Sequence, residues 1–201
     1  MSLTEKVHES VVFDRRIRVL SEYLASVLPQ DAKVLDVGCG TGQMAQAFSA
    51  IRPDLRFKGI DILVRPETYM EVVEFDGVTI PFEDDSFDAI MMVDVLHHTA
   101  DPTVLLREAN RVARESIVLK DQLLNGWFSG PTLAFMDKVG NARHGVVLPY
   151  NYWRHDQWVE ALEVLHLKVE SWQERLGLYW WPASLLFDRR LHFVARLSTR
   201  S

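Results

Sequence analysis

Three glycines and an aspartate stand close together in the segment VLDVGCGTG, which covers residues 34–42. Asp36 ends an apolar run, and Gly38, Gly40 and Gly42 follow it at alternate positions. Glycine lets the backbone turn tightly and approach a ligand, and the first turn of a following helix offers free N–H groups. An ordinary strand-to-helix turn rarely needs three glycines in so short a stretch. The spacing therefore favours a loop that holds a ligand against backbone amides.

A carboxylate ends the next predicted strand, in the segment KGIDI. Asp61 lies 23 residues after Gly38, the spacing at which a strand-end carboxylate accepts hydrogen bonds from both hydroxyls of a ribose. Alone, such a residue is more often a turn or cap residue. A nicotinamide dinucleotide uses the same arrangement, and Gly40, Gly42 and Ala45 formally match its G-x-G-x-x-A fingerprint, although the match begins late relative to the strand end. The spacing predicts an adenosine ligand and leaves two cofactor classes open.

A third motif separates the two classes. Residues 73–98 read VEFDGVTIPFEDDSFDAIMMVDVLHH, in which Asp76 stands five residues before Pro81 and Phe82, and residues 85–88 then open a strand. Together with the first two motifs, this segment closely resembles the small class I S-adenosylmethionine-dependent methyltransferases related to the ubiquinone and menaquinone methyltransferases. The resemblance covers about residues 30–120, and the combined motifs are specific.

The resemblance implies S-adenosyl-L-methionine as the cofactor and gives each motif position a role. Asp36 is expected at the methionine end, Asp61 at the ribose hydroxyls, and Asp76 at the exocyclic amine of adenine, with the Gly77 N–H at the ring edge. Val93 is expected beside the sulfonium methyl. The implied cofactor-binding residues are Asp36, Gly38, Gly40, Asp61, Ile62, Asp76, Gly77 and Val93.

Candidate catalytic residues follow the predicted fourth strand. Methyl transfer from a sulfonium displaces an already activated leaving group, so the protein must align donor and acceptor, exclude water and in some cases remove a proton. Asp94 and His97 are the nearest candidates for a catalytic group, although a structural role is favoured for His97 and His98. No group of Cys, His, Asp and Glu residues has metal-ligand spacing, so no metal is predicted.

All six tryptophans lie between residues 127 and 181. Core packing is the expected role of Trp158 and Trp172. Residues 127–128 and 179–181 are predicted loops, where so much aromatic area indicates a pocket wall, a partner surface or a contact with a membrane interface. We therefore predict an apolar or aromatic small molecule as the methyl acceptor. The candidate substrate residues are Trp127, His144 and Tyr150.

The motifs lie on predicted strands that alternate with helices. The strands cover residues 33–37, 57–61, 71–75, 87–95 and 116–120, and the helices cover 11–28, 42–49, 101–114 and 154–165, with a further short helix near 131–139. This alternation predicts a doubly wound, Rossmann-like α/β fold with a mostly parallel, seven-stranded sheet. The last two strands, 168–175 and 190–197, are close enough in sequence to form an antiparallel C-terminal hairpin.

The chain is expected to form a single methyltransferase domain, residues 1–201, because no linker or repeat interrupts it. Its predicted parts are an N-terminal helical cap (1–30), a cofactor-binding core (31–121), an insertion expected to act as a lid (122–152), and a C-terminal helix and hairpin (153–201).

The composition of the chain limits the classes of binding partner and the cellular compartment that we predict. The net charge of −6 argues against nonspecific binding to nucleic acid, which requires a basic face. The sequence shows no signal peptide and no apolar stretch near the roughly 20 residues that a membrane span requires. A single cysteine, Cys39, is typical of a reducing compartment, so the predicted location is cytoplasmic. The predicted partner is the small-molecule acceptor, and neither its identity nor the oligomeric state is predicted.

A second hypothesis is a catalytically silent protein of the same fold, which binds the cofactor or a protein partner through its aromatic surface. An interaction module has no need of Asp36, Asp61 and Asp76 together, so the active enzyme is favoured.

Overall fold

The computed structural model describes residues 3–141 and 149–199. The helices are α1 (Leu3–Val27), α2 (Gln43–Ile51), α3 (Pro102–Val112), α4 (Ser129–Asn141), α5 (His155–Val164) and α6 (Ser184–Phe187), with a 3-10 turn at Leu96–His98. The strands are β1 (Lys33–Val37), β2 (Arg56–Asp61), β3 (Val72–Glu74), β4 (Phe87–Val93), β5 (Ala113–Leu124), β6 (Trp153–Arg154), β7 (Lys168–Gln173) and β8 (His192–Ser198).

One sheet forms the centre of the fold, in the order β3-β2-β1-β4-β5-β8-β7. The first five strands are parallel, and β8 runs antiparallel to both β5 and β7. The predicted Rossmann-like fold with an antiparallel C-terminal hairpin is therefore confirmed. Because the five parallel strands end at one edge of the sheet, the motifs that follow β1, β2, β3 and β4 meet there.

The sheet has an eighth strand that the sequence did not reveal. The two-residue β6 pairs in parallel with the end of β5, where Leu123 lies opposite Trp153. β5 is also longer than the predicted strand at 116–120, because β8 pairs with it as far as Gln122, opposite His192. Charged and polar side chains interrupt the apolar run after Leu119, so the apolar pattern alone ends this strand too early.

Apolar side chains on alternate strand positions form a core on each face of the sheet. Leu35 and Val37 pack on the face covered by α3 and α5, whereas Val34 packs on the face covered by α1 and α2. Trp158 is 1% exposed and belongs to the first core, against which Trp172 packs from its edge. Among the helices of residues 3–141 and 149–199, none is long and apolar enough to cross a membrane.

Candidate functional site

The glycine loop turns sharply at the carboxyl end of β1. The N–H of Gly38 donates to the carbonyl of Ile60 on the neighbouring strand at 2.8 Å. Gly38 has φ +71°, and a Cβ atom there would lie 2.6 Å from a methyl carbon of Val95, which follows β4. Gly42 precedes α2 with φ 79°, also in the left-handed region. Only glycine fits this path without strain.

Asp61 holds the glycine loop against the end of β2. One carboxylate oxygen accepts from the N–H of Gly40 at 2.8 Å, and the other accepts from the N–H of Leu63 at 3.0 Å. A carboxylate has about four lone-pair sites, so each oxygen keeps one for another donor. A Cβ built on Gly40 meets no atom within 4 Å, so the space over this part of the loop is open.

Asp36 is the least stabilised carboxylate in the site. Its side chain is 3% exposed and forms no hydrogen bond or ion pair with the residues that the structure describes. Burial, together with the charge of Asp61, raises the pKa of Asp36 to about 8. An ammonium group placed against Asp36 would restore its ionised form. Burial also raises the pKa of the neighbouring Cys39 thiol, so this cysteine lacks the thiolate form of a nucleophile.

Asp76 and its neighbours form the third part of this edge. One oxygen of Asp76 accepts from the N–H groups of Val78 and Thr79 at 2.8 and 2.7 Å, and these bonds lower its pKa. A Cβ on Gly77 would lie 3.2 Å from a methyl carbon of Ile62, so Ile62 passes close over this backbone. Ile62 and Val78 are each 52% exposed. An exposed apolar edge beside a carboxylate oxygen is suited to an aromatic base with an amine group.

The end of β4 carries a neutralised carboxylate. Asp94 lies just after Val93, and its two oxygens form ion pairs with Arg16 of α1 and Lys120 of β5. Burial by itself raises the pKa of Asp94, but the charges of Lys120 and Arg16 outweigh burial, and the pKa lies well below its ordinary value. A carboxylate with two cationic partners is a weak base, so this geometry favours a structural role for Asp94.

His97 is enclosed in the 3-10 turn and is 1% exposed. Its Nδ1 lies 2.5 Å from a carboxylate oxygen of Asp121, whose other oxygen accepts from the N–H of Leu96 at 2.9 Å. Burial lowers the pKa of His97, but the charge of Asp121 outweighs burial and raises the pKa above its ordinary value. The contacts of His97 fix the 3-10 turn on β5, as its predicted structural role requires, and its part in catalysis stays a prediction.

Helix α4 is attached to β5 and to the 3-10 turn through Asp137. Its carboxylate accepts from the Tyr152 hydroxyl and from the Gln122 amide, each at 2.5 Å, and lies 3.4 Å from Nε2 of His97. His97, His98 and Asp137 offer nitrogen and oxygen atoms within 4.8 Å of one another. Asp137 stands on α4, far in sequence from the 3-10 turn that carries both histidines, so sequence spacing could not bring the group to notice. The expectation of no metal stays a prediction.

The candidate substrate residues do not form one cluster in the described part of the chain. Tyr150 is 42% exposed, and its ring lies 6.1 Å from that of Tyr152, which lies 5.7 Å from the ring of His97. Trp127 is 87% exposed, and the ring contact shown for it is with Phe128. His144 lies outside the described residues.

Sequence reasoning missed several residues that surround the end of β4 and the 3-10 turn. Three of them, Lys120, Asp121 and Gln122, form a polar run that directly follows the apolar residues of β5 and still belongs to that strand. This polar run was the signal that could have drawn attention to them. The others stand on elements far away in sequence, where no local pattern connects them to β4. The missed residues are Arg16, Lys120, Asp121, Gln122, Asp137 and Tyr152.

Comparison with known proteins finds methyltransferases among the relatives of this chain. A family described as methyltransferase domain matches residues 35–118. The chain is 30% identical to 27-O-demethylrifamycin SV methyltransferase of Amycolatopsis mediterranei over 133 residues, which are 58% of this chain and 48% of the relative. It is 36% identical to demethylmenaquinone methyltransferase of Staphylococcus aureus over 96 residues, 41% of this chain and 39% of the relative. The chain therefore spans less than half the length of these curated relatives.

Solved structures share the fold over a longer part of the chain. One such structure is a chain from the complex between the Haloferax volcanii Trm112 methyltransferase activator and a methyltransferase. It superposes with a TM-score of 0.71, and the match covers 96% of the present chain and 94% of the solved one. The sequence identity is 17%, so this similarity shows the fold. This match covers 96% of the chain, whereas the matched family region at 35–118 ends before the antiparallel C-terminal strands begin.

Proposed function

We propose that this chain, which belongs to the class I S-adenosylmethionine-dependent methyltransferases, methylates an apolar or aromatic small molecule. S-adenosyl-L-methionine is the cofactor of that family. The observation that carries the proposal is the set of three carboxylates at the ends of β1, β2 and β3, namely Asp36, Asp61 and Asp76. Each has lone pairs that no cation in the described part of the chain engages.

The residues present fit this cofactor. Asp36 is buried without a partner in the described residues, and the methionyl ammonium group would supply one. The remaining lone pairs of Asp61 suit the two ribose hydroxyls, and the free oxygen of Asp76 suits the adenine amine. Gly38 and Gly40 let the backbone approach the methionine end, while Ile62 and the Gly77 backbone would hold the adenine ring.

The chain's own part in the reaction is alignment and exclusion of water. When bound, the cofactor supplies a methyl group that its sulfonium already activates. Val93 ends the central strand beside the glycine loop, so the acceptor is expected there, over the end of β4. Asp94 and His97 are held by ion pairs and hydrogen bonds, and we propose that they keep this floor rigid while an acceptor is held in line.

Two observations support an apolar or aromatic acceptor. The chain beyond β5 exposes the aromatic side chains of Trp127 and Tyr150, and both relatives compared above are named for small-molecule acceptors. Cys39 is the only cysteine of the chain and is free, which supports a cytoplasmic location. The silent binding module is not favoured, because it would have no use for the three ligand-ready carboxylates.

Calorimetry with S-adenosylhomocysteine, the demethylated cofactor, tests the site. Asp61→Ala should remove the ribose contacts and weaken binding by about 1.5–3 kcal/mol, as for hydrogen bonds to a charged group. Asp156→Ala, at an exposed carboxylate on α5, is the matched control and should leave the affinity unchanged. Unchanged affinity in Asp61→Ala would refute the assignment of the cofactor site. Transfer of a labelled methyl group into the organic phase of a metabolite extract then tests the class of acceptor.

A further inference from the structure

Two exposed apolar segments leave the same corner of the sheet. One follows β5 and the other precedes β8, and these strands pair antiparallel there, with Gln122 opposite His192. The N–H of Leu123 donates to the carbonyl of Leu191 at 2.9 Å, and this hydrogen bond joins the two segments of the chain where they leave the sheet. We call their exposed apolar residues the aromatic corner: Trp127, Phe128, Trp180, Trp181, Leu185 and Leu186.

The exposure of these side chains is unusual for residues of their size. Trp127 is 87% exposed and Trp181 is 78% exposed, whereas Trp158 in the core is 1% exposed. Phe128 has φ 61°, a left-handed conformation that bulky residues seldom adopt and that costs free energy. Several large apolar side chains exposed near one corner of a sheet are typical of a contact surface.

The charge around the aromatic corner is opposite to that of the whole chain. Arg175, Arg189 and Arg190 flank its second segment in sequence, and Arg190 lies 4.0 Å from Glu174. The Arg15 guanidinium lies 5.0 Å from the Trp180 ring, over its face. Asp188, the acid of residues 175–191, is turned inward, where its carboxylate accepts from the N–H groups of Leu178 and Tyr179. Arginines therefore outnumber acids along this segment of a chain whose net charge is −6.

We propose that the aromatic corner docks the protein on the surface of an anionic lipid bilayer. Tryptophan rings settle at the boundary between headgroups and acyl chains, and arginines beside them attract anionic headgroups. These side chains project from loops and from the four-residue α6, an arrangement suited to insertion among headgroups. The charge of the corner selects the lipid surface, because an anionic bilayer attracts it although the chain as a whole is acidic.

The position of the aromatic corner suggests a purpose for membrane docking, and this step rests on the proposed function. The corner lies where β5 ends, next to the acceptor side of the site. An apolar acceptor dissolved in the bilayer would then reach the end of β4 without crossing water.

Vesicle flotation tests the docking directly. The protein should float with vesicles that contain phosphatidylglycerol more than with phosphatidylcholine vesicles, and added salt should weaken this binding, because exposed charges are screened. Trp181→Ala/Leu185→Ala and Arg189→Glu/Arg190→Glu should each reduce partitioning about tenfold or more, since each removes buried apolar area or surface charge.

Matched controls lie on other surfaces. Val164→Ala on α5, where Val164 is 69% exposed, and Arg107→Glu on α3, where Arg107 is exposed, should leave partitioning unchanged. Circular dichroism checks that every variant is folded. Absence of binding to phosphatidylglycerol vesicles, or equal losses in corner and control variants, overturns the docking. Calorimetry with S-adenosylhomocysteine in vesicle-free buffer reports the proposed function separately, and the corner variants should retain that affinity.

Discussion

The carboxylates on the cofactor side and on the acceptor side of one sheet edge differ in what neutralises them. Asp36, Asp61 and Asp76 have backbone N–H groups as partners or, for Asp36, no partner among the described residues. Asp94 instead pairs with two cations, and Asp121 lies against His97. A buried carboxylate without a counter-charge reduces the stability of the fold, so it persists where a ligand supplies the charge. The paired carboxylates have no such need, and they fix the end of β4 and the 3-10 turn, over which the acceptor is proposed to bind.

The largest expected effect comes from breaking a pair on the acceptor side. Lys120 is fully buried against Asp94, and Lys120→Met keeps much of its volume but leaves that carboxylate with Arg16 alone. Removing one partner of a buried ion pair costs about 3–5 kcal/mol when the remaining charge has no other partner, and because Asp94 keeps Arg16 and is 23% exposed we expect the lower end of that range. Urea denaturation should show this loss in the free energy of unfolding.

An exposed ion pair provides the control for Lys120. Lys58 bonds Glu71 at 2.8 Å, but the Glu71 side chain is 70% exposed. Lys58→Met should cost less than about 1 kcal/mol, because solvent weakens such pairs. Equal losses in the two variants would mean that the Lys120 pair is not the support of the acceptor floor.

The second expected effect has the opposite sign and lies on the cofactor side. The raised pKa of Asp36, about 8 against 3.8 ordinarily, means that the folded state resists an ionisation that the unfolded state undergoes near pH 4. Stability should fall as pH rises from about 4 to 8 and then level. Asp36→Asn removes this penalty, so its free energy of unfolding should exceed that of the wild type by a margin that grows with pH over this range, by at most about 1.4 kcal/mol per pH unit.

The same variant should bind S-adenosylhomocysteine more weakly, although its fold is more stable, because the amide cannot pair with an ammonium group. Asp76→Asn is the contrasting variant, since backbone hydrogen bonds lower the pKa of Asp76 and ionisation there stabilises the fold. Urea denaturation at three pH values between 4 and 9 gives the free energy of unfolding of both variants and of the wild type for this comparison. A constant margin for Asp36→Asn across these values would contradict the raised pKa.

The cofactor side was far more predictable from the sequence than the acceptor side. Its residues lie in short motifs at the ends of β1, β2 and β3, and parallel strands bring these ends to one edge of the sheet. Local spacing proposed the glycine loop and Asp61, and the resemblance to the methyltransferases proposed Asp36 and Asp76. On the acceptor side, Arg16 reaches Asp94 across 78 positions of the chain, and Asp137 reaches His97 from α4. Such contacts depend on tertiary packing and leave no periodic trace.

The fold shows the same contrast. Alternation of apolar runs and helical periodicity predicted the parallel sheet, while β6 has two residues and no pattern of its own. α1 begins at Leu3 where residues 11–28 were predicted, because its first turns lack the apolar periodicity on which that prediction relied, although Glu and Lys favour helix there. The division of the chain into cap, core, lid and hairpin stays a prediction.

The smallest expected effect concerns the attachment of α4, which lies in the insertion proposed as a lid. The Tyr152 hydroxyl donates to Asp137 at 2.5 Å, and burial, together with the charge of Asp137, raises the pKa of Tyr152. Tyr152→Phe removes this bond and should cost about 0.5–1.5 kcal/mol. If α4 opens as a unit, its amides should exchange with solvent roughly two- to tenfold faster in the variant.

Hydrogen exchange measured by mass spectrometry separates a lid from a static helix. Tyr23→Phe is the matched control, because the Tyr23 hydroxyl donates to the carbonyl of Arg175, away from α4. Peptides of β1 serve as the reference for global unfolding and should be unchanged in both variants. In the wild type, a lid over residues 123–152 should exchange readily and become protected when S-adenosylhomocysteine binds. Protection of α4 equal to that of β1 in the free protein, together with no effect of Tyr152→Phe, would show that this helix is a fixed wall of the acceptor site.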